Sequence, residues 1–133
     1  MVELGTYNGV SYTAFCQAVF REQLGTHCLA VDTWAGDAQA SCYDETVYED
    51  FRAFHDERYA AFSMLLRCTF DEALLHFGDG SVDLLNFDGL HTYDAVCHDL
   101  DICLPKISQH GLLCFTTPTS VGPALAFGSC GAS

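Results

Sequence analysis

Basic residues are scarce in this chain. Five Lys and Arg stand against 18 Asp and Glu, a formal net charge of -13, so the general attraction that draws proteins to phosphate backbones or anionic lipid has the wrong sign. Nucleic acid is not expected as a partner. No apolar run reaches the roughly 18 to 20 residues that cross a bilayer, and no membrane partner is expected either. A basic, apolar leader is also missing, which points to a cytoplasmic setting. The eight cysteines, Cys16, Cys28, Cys42, Cys68, Cys97, Cys103, Cys114 and Cys130, include no C-x-x-C pair and no zinc-finger His spacing. A thiolate metal site and a secreted disulfide framework are both disfavoured, and most of the thiols read as small buried hydrophobes in a reducing compartment. No internal repeat is visible.

What remains fits one domain. The chain has 133 residues, half of them apolar and 17% charged, enough to bury a single core and too hydrophobic for disorder. Met1 to Leu4 reads as the last part of a strand, with a piece expected upstream, and Gly5 to Gly9 as a glycine turn. From Ser11 to Leu24, Tyr12, Phe15, Cys16, Val19, Phe20 and Leu24 recur at helical spacing, with Gly25 as the stop. A second strand runs from His27 to Val31, with Asp32 at its tip, and 33–42 reads as a loop. A helix is expected from Glu45 to Phe62, a third strand from Phe62 to Cys68, a helix from Asp71 to Phe77 and a fourth strand from Val82 to Phe87. The last helix spans His91 to Leu104, ended by Pro105, and Gly111 to Phe115 supplies a fifth strand.

Five strands alternating with four helices predict an α/β fold: a mostly parallel, Rossmann-like, three-layer sheet with helices on both faces. Ligands of such sheets bind at the carboxyl ends of the strands, near the point where strand order reverses. Gly5 to Gly9, Asp32 to Trp34, Phe70 to Asp71 and Asp88 to His91 all fall at those ends. The domain covers residues 1–117, and 118–133 is a tail of small residues. The fifth strand would stand at an edge, open to pairing with a second copy as a homodimer.

Glu3-Leu4-Gly5-Thr6-Tyr7-Asn8-Gly9-Val10-Ser11 joins an acid at a strand end to two glycines and the start of a helix. Glycine permits the turn and the approach of a ligand to the backbone, and the first helical amides can bind a carboxylate or phosphate. Tyr7 occupies the second glycine of the G-x-G-x-x-G dinucleotide pattern, which disfavours a nicotinamide-dependent oxidoreductase. The bland alternative is an ordinary strand-to-helix turn. Asp32 lies about twenty residues past the turn, where a carboxylate can accept hydrogen bonds from two ribose hydroxyls. Alone it would be a turn residue or cap; with the glycine turn it favours a nucleoside cofactor.

These segments, with Ala30-Val31-Asp32-Thr33-Trp34 and the run from Asp83 to Tyr93, resemble the class I S-adenosylmethionine-dependent methyltransferases, especially the branch of catechol-type O-methyltransferases and small bacterial methyltransferase domains. The resemblance runs from about Val2 to Phe115 and implies the strand order 3-2-1-4-5, without the family's usual last two strands. It implies S-adenosylmethionine as cofactor. Glu3, Gly5, Thr6, Tyr7, Asn8, Gly9 and Ser11 would hold its methionine end, Asp32 with Thr33 its ribose, and Phe70 and Asp71 would frame its adenine, with Trp34 covering the ring. In metal-dependent members an Asp after the fourth strand binds a divalent cation and a basic residue three positions on deprotonates the acceptor. Asp88 and His91 fall there, as cofactor, metal and catalytic positions. An imidazole with a pKa near about 6.5 can take a hydroxyl proton at neutral pH.

One departure concerns the metal. Relatives carry a His-Asp or Asp-Asn pair after the fifth strand, where this chain has Thr116-Thr117. A neutral hydroxyl replaces a carboxylate poorly on a hard cation, so Asp88 alone would hold Mg2+ weakly. The resemblance implies O-methylation of a small-molecule acceptor; the alternative is a non-catalytic or truncated domain that binds cofactor or serves as an interaction module. His27, His55, His76, His98 and His110 are expected to be solvated or capping residues, and the acidic run through Asp44, Glu49 and Asp56 a solvated helix face.

Overall fold

Alternation along the first strand decides how the sheet is covered. In the computed structural model, which describes residues 1–36, 41–89 and 92–115, β1 (Val2–Leu4) turns Val2 and Leu4 into one hydrophobic cluster and Glu3 toward the other side, where Ser11 bonds it. The chain continues through α1 (Val10–Arg21), β2 (Cys28–Asp32), α2 (Glu45–Tyr59), β3 (Ser63–Arg67), α3 (Phe70–Leu74), β4 (Val82–Phe87) and α4 (Tyr93–Cys103), then a short 3-10 turn into β5 (Ile107–Phe115). All strand pairs are parallel, in the order β3-β2-β1-β4-β5. This is a Rossmann-like α/β sheet with the expected order.

Two cores result. Tyr12, Cys16 and Val19 of α1 meet Phe51 and Tyr59 of α2 over Cys28 and Ala30, with Trp34 in the same cluster. On the opposite face Ala73, Leu74 and Cys103 pack on Val2, Leu4, Val31, Leu85 and Phe87. Parallel strands buried on both faces are what helices on both sides require. No helix among the described residues is long and apolar enough to cross a membrane.

Several boundaries differ from expectation for physical reasons. Gly25 does not end α1. Gln23 takes the left-handed conformation at φ 52, and Leu24 and Gln23 donate back to the Val19 and Phe20 carbonyls, the paired closure that usually recruits glycine. α3 starts one residue earlier than expected and stops three earlier, set by a reciprocal capping box between Thr69 and Glu72. β5 begins at Ile107 rather than Gly111. Val82 faces Ile107 while Leu84 faces Leu112, so two steps on β4 oppose five on β5. The polar bulge, tied by the Ser108 hydroxyl to Asp83 at 2.7 Å, hides the strand's alternation until Gly111.

His55 is the largest correction among the side chains. It is 1% exposed, neither solvated nor a cap, because Phe51, His55 and Tyr59 form the buried stripe of α2. Its Nε2 lies 2.7 Å from the Ser63 hydroxyl and its Nδ1 2.8 Å from Asp56. The same hydroxyl meets Tyr12 OH at 2.6 Å and takes the Cys16 thiol at 3.7 Å. The order Asp56, His55, Ser63 has the sequence of a hydrolytic relay. However, a serine oxygen can donate once and accept twice, and three buried neighbours use that capacity. Ser63 is a structural hub. The acidic face of α2 is exposed as expected, and at its start Glu45 makes a two-pronged ion pair with Arg67 at 2.6 Å per contact. Of the thiols, Cys16, Cys28 and Cys103 are buried, whereas Cys42 and Cys114 are exposed, against the expectation for most of them.

Candidate functional site

β1 and β4 are neighbours across the point where strand order reverses, and their carboxyl ends meet at Gly5 and Asp88. The Asp88 amide donates to the Leu4 carbonyl at 2.8 Å and the Gly5 amide to the Val31 carbonyl at 2.9 Å. Gly5 has φ 88, and a Cβ there would overlap the Asp88 carbonyl. Gly9 has φ 79, and its Cβ would overlap the Phe51 ring. Both glycines are therefore required by contacts within the protein. α1 starts at Val10 without a side-chain cap, leaving its first amides to other acceptors.

Glu3 lies fully buried beneath this turn. Its Oε1 accepts from the Ser11 hydroxyl at 2.7 Å and from the Asn86 amide at 2.8 Å. Its Oε2 and the Thr6 hydroxyl oxygen are buried close to one another, without a hydrogen bond of good geometry among the described residues. Burial pushes the Glu3 carboxyl above its ordinary range, with the nearby Asp88 charge adding to it and the hydrogen bonds opposing it. A buried acceptor and a buried hydroxyl left unsatisfied at a strand end are costly unless something else bonds them.

Asp32 clamps the loops around the site. Its Oδ2 accepts from the Thr6 and Tyr7 amides at 2.9 and 2.8 Å, and its Oδ1 from the Trp34 amide at 2.8 Å. Tyr7 and Trp34 have φ 51 and 52, left-handed conformations that cost non-glycine residues free energy, so the carboxylate holds two strained residues in place. Of about four acceptor directions on a carboxylate, one on Oδ1 is left. Asp32 thus does not offer the two open directions that a doubly bonded ribose would need.

Trp34 differs most from expectation here. It is 1% exposed and its Nε1 donates to the Tyr7 carbonyl at 2.7 Å, so its ring packs in the core and is not open to cover an adenine. Tyr7 is the aromatic side chain exposed at the turn, its ring 4.7 Å from that of Tyr43. Asn8 and Thr33 are exposed nearby. Phe70 stands edge-on to Phe87 at 6.0 Å and against Gly89, bridging the ends of β3 and β4. Asp71 turns to His98 of α4, 2.9 Å away. His91, Thr116 and Thr117, with the tail 118–133, lie outside the described residues.

The structure brings Glu3, Thr6, Ser11, Asp32 and Asp88 together at the carboxyl ends of β1, β2 and β4. It gives Trp34 and Asp71 to packing and to α4. Among the described residues the one grouping of three metal-type ligands, Asp71, His98 and Asp99, does not include Asp88.

A parallel sheet with this order, a glycine turn opening a helix and acids at the ends of β1 and β2 defines an α/β domain of the nucleoside-binding type. The sequence profile of the family described as "Methyltransferase domain" matches residues 2–116. The chain belongs to that family, as a class I S-adenosylmethionine-dependent methyltransferase-like domain. It is 49% identical over 115 residues to the uncharacterized protein y4gI of Sinorhizobium fredii, a match that covers 86% of this chain and 12% of that protein. The chain thus spans a small part of the curated relative it matches.

Proposed function

We propose that the domain binds S-adenosylmethionine at the carboxyl ends of β1 and β4 and supports methyl transfer to a hydroxyl oxygen of a small-molecule acceptor. The observation that carries this reading is the unsatisfied pair at the turn, Glu3 Oε2 and Thr6 Oγ1. The cofactor fits them: it presents an ammonium and a carboxylate at its methionine end, and when bound it supplies an electrophilic methyl group.

Glu3 would accept from the ammonium. An adjacent cation offsets the burial that otherwise disfavours its charged form. Ser11 and Asn86 keep the carboxylate aimed, and the uncapped start of α1 suits the cofactor carboxylate. Asp32 has one acceptor direction for the ribose, and Phe70 offers an apolar edge. The resemblance assigns His91 to receive the acceptor's proton. Most of the rate would come from holding acceptor oxygen and methyl group in line. Exposed free thiols at Cys42 and Cys114 fit a reducing, cytoplasmic setting.

Thr116-Thr117, in place of the second metal carboxylate, favours one other reading: cofactor binding without transfer, in an interaction module. Titration calorimetry with S-adenosylhomocysteine separates the outcomes. The wild-type chain is expected to bind in the micromolar range, and Glu3→Gln at least tenfold more weakly. The same substitution is expected to stabilise the ligand-free protein. Glu3 binds its proton more tightly folded than unfolded, so its charge lowers stability as pH rises above the ordinary value of 4.5. Glu3→Gln should therefore melt higher than wild type at pH 7 and alike at pH 4. Equal affinity in the two proteins, or no binding by folded wild type, would overturn the assignment; binding without transfer to any hydroxyl acceptor would favour the module.

A further inference from the structure

We propose that Asp71, His98 and Asp99 form a site for one divalent transition-metal ion of the zinc class, held between α3 and α4. One ligand atom from each residue lies within 4.8 Å of the other two. Asp71 is in the first turn of α3, and His98 and Asp99 are consecutive on α4. His98 Nε2 stands 2.9 Å from one Asp71 oxygen and 3.2 Å from the other.

By itself the Asp71–His98 contact is an ordinary exposed ion pair of small worth. Asp99 makes it more than that. Asp99 is 8% exposed, its carboxylate faces the other two ligand atoms, and no hydrogen bond is among the influences on its titration. Burial raises its pKa. A buried carboxylate without a donor calls for a cation or a proton, and the neighbours turned toward it are an imidazole and a second carboxylate.

The donor set selects the ion. Magnesium and calcium take oxygen ligands, six or more for calcium, whereas one imidazole with two carboxylates suits Zn2+, Co2+ or Ni2+. Bonds of about 2.0 to 2.2 Å place tetrahedral ligand atoms about 3.4 Å apart. The widest pair need close by no more than about 1.4 Å, a movement available to the exposed side chains of Asp71 and His98 while Asp99 stays in place. Water completes the shell on the open side. The bound ion replaces the Asp71–His98 hydrogen bond by a shared centre and fastens α3, five residues long, to α4. Two carboxylates of a strongly acidic chain are neutralised in the same step.

The thiols of the chain also bind such ions, so the probe must tell ligands apart. Co2+ added to metal-stripped, reduced protein is expected to bind at one equivalent with visible ligand-field bands and no thiolate charge-transfer band in the near ultraviolet. His98→Ala and Asp71→Asn, both at exposed positions, should each weaken binding at least tenfold, and Asp99→Asn should do so without preventing folding. Zn2+ should raise the melting temperature of wild type and not that of His98→Ala. A thiolate band at the first equivalent, binding unchanged by His98→Ala, or no binding at millimolar Co2+ would each overturn the site.

Discussion

Gly5→Ala is expected to lower stability by about 3 kcal/mol, enough to leave a marginal domain largely unfolded. A left-handed residue with a Cβ costs about 1 to 2 kcal/mol, and overpacking in a closed site typically adds about 1 to 3 kcal/mol. The atom it meets is the Asp88 carbonyl, which belongs to backbone. That backbone cannot recede freely, because the Asp88 amide is bonded to the Leu4 carbonyl on one side of the turn while the Gly5 amide is bonded to Val31 on the other. Relief would part β1 from β4 or from β2 at the carboxyl ends of the strands. Gly25→Ala is the internal control: no atom lies within 4 Å of the added Cβ and its φ is ordinary, so stability should hold or rise slightly. Urea unfolding of the two variants checks the contrast, and a Gly5→Ala midpoint close to wild type would refute it.

Ser63→Ala carries the second largest expectation, a loss of about 3 kcal/mol. The deleted oxygen is a partner for Tyr12 OH, His55 Nε2 and Cys16 Sγ. Each buried polar group left without a partner costs about 1 to 3 kcal/mol, and a thiol less than a hydroxyl or imidazole. The effect should not be additive with loss of a partner. In Ser63→Ala/Tyr12→Phe one orphan is removed along with its hub, so the double variant should recover about 1 kcal/mol relative to the sum of the single ones. Simple additivity in a urea-unfolding cycle would show that the four groups do not act as one network.

The sheet was legible because its strands are short apolar runs ending at acids or glycines, and its helices show apolar spacing of three and four. Legibility stopped where one residue serves two needs. His55 looked polar among charged neighbours, yet Phe51, His55 and Tyr59 stand four apart, a buried stripe that spacing alone could have revealed. Ser63 gave no such sign, since a hub is defined by groups contributed from α1, α2 and β3 together. Asp32 and Glu3 were legible as site acids by position, but not by occupancy. Strand ends do not announce that three backbone amides hold Asp32 or that one Glu3 oxygen is left over. An Asp32→Ala variant would release two strained loops along with any ribose contact, so Glu3→Gln is the cleaner probe of the site. The metal grouping was hidden for a similar reason: Asp71 and His98 are 27 positions apart, and their meeting depends on how α3 crosses to α4.

The sheet divides the interior into two compartments, and each holds its own buried thiols. Cys16 and Cys28 belong to the side under α1 and α2, Cys103 to the side under α3 and α4. A small alkylating reagent reaches either compartment only when that side opens. The relative labelling rates at Cys16 and Cys103 therefore compare the breathing of the two halves within one molecule, with reporters already built into the chain.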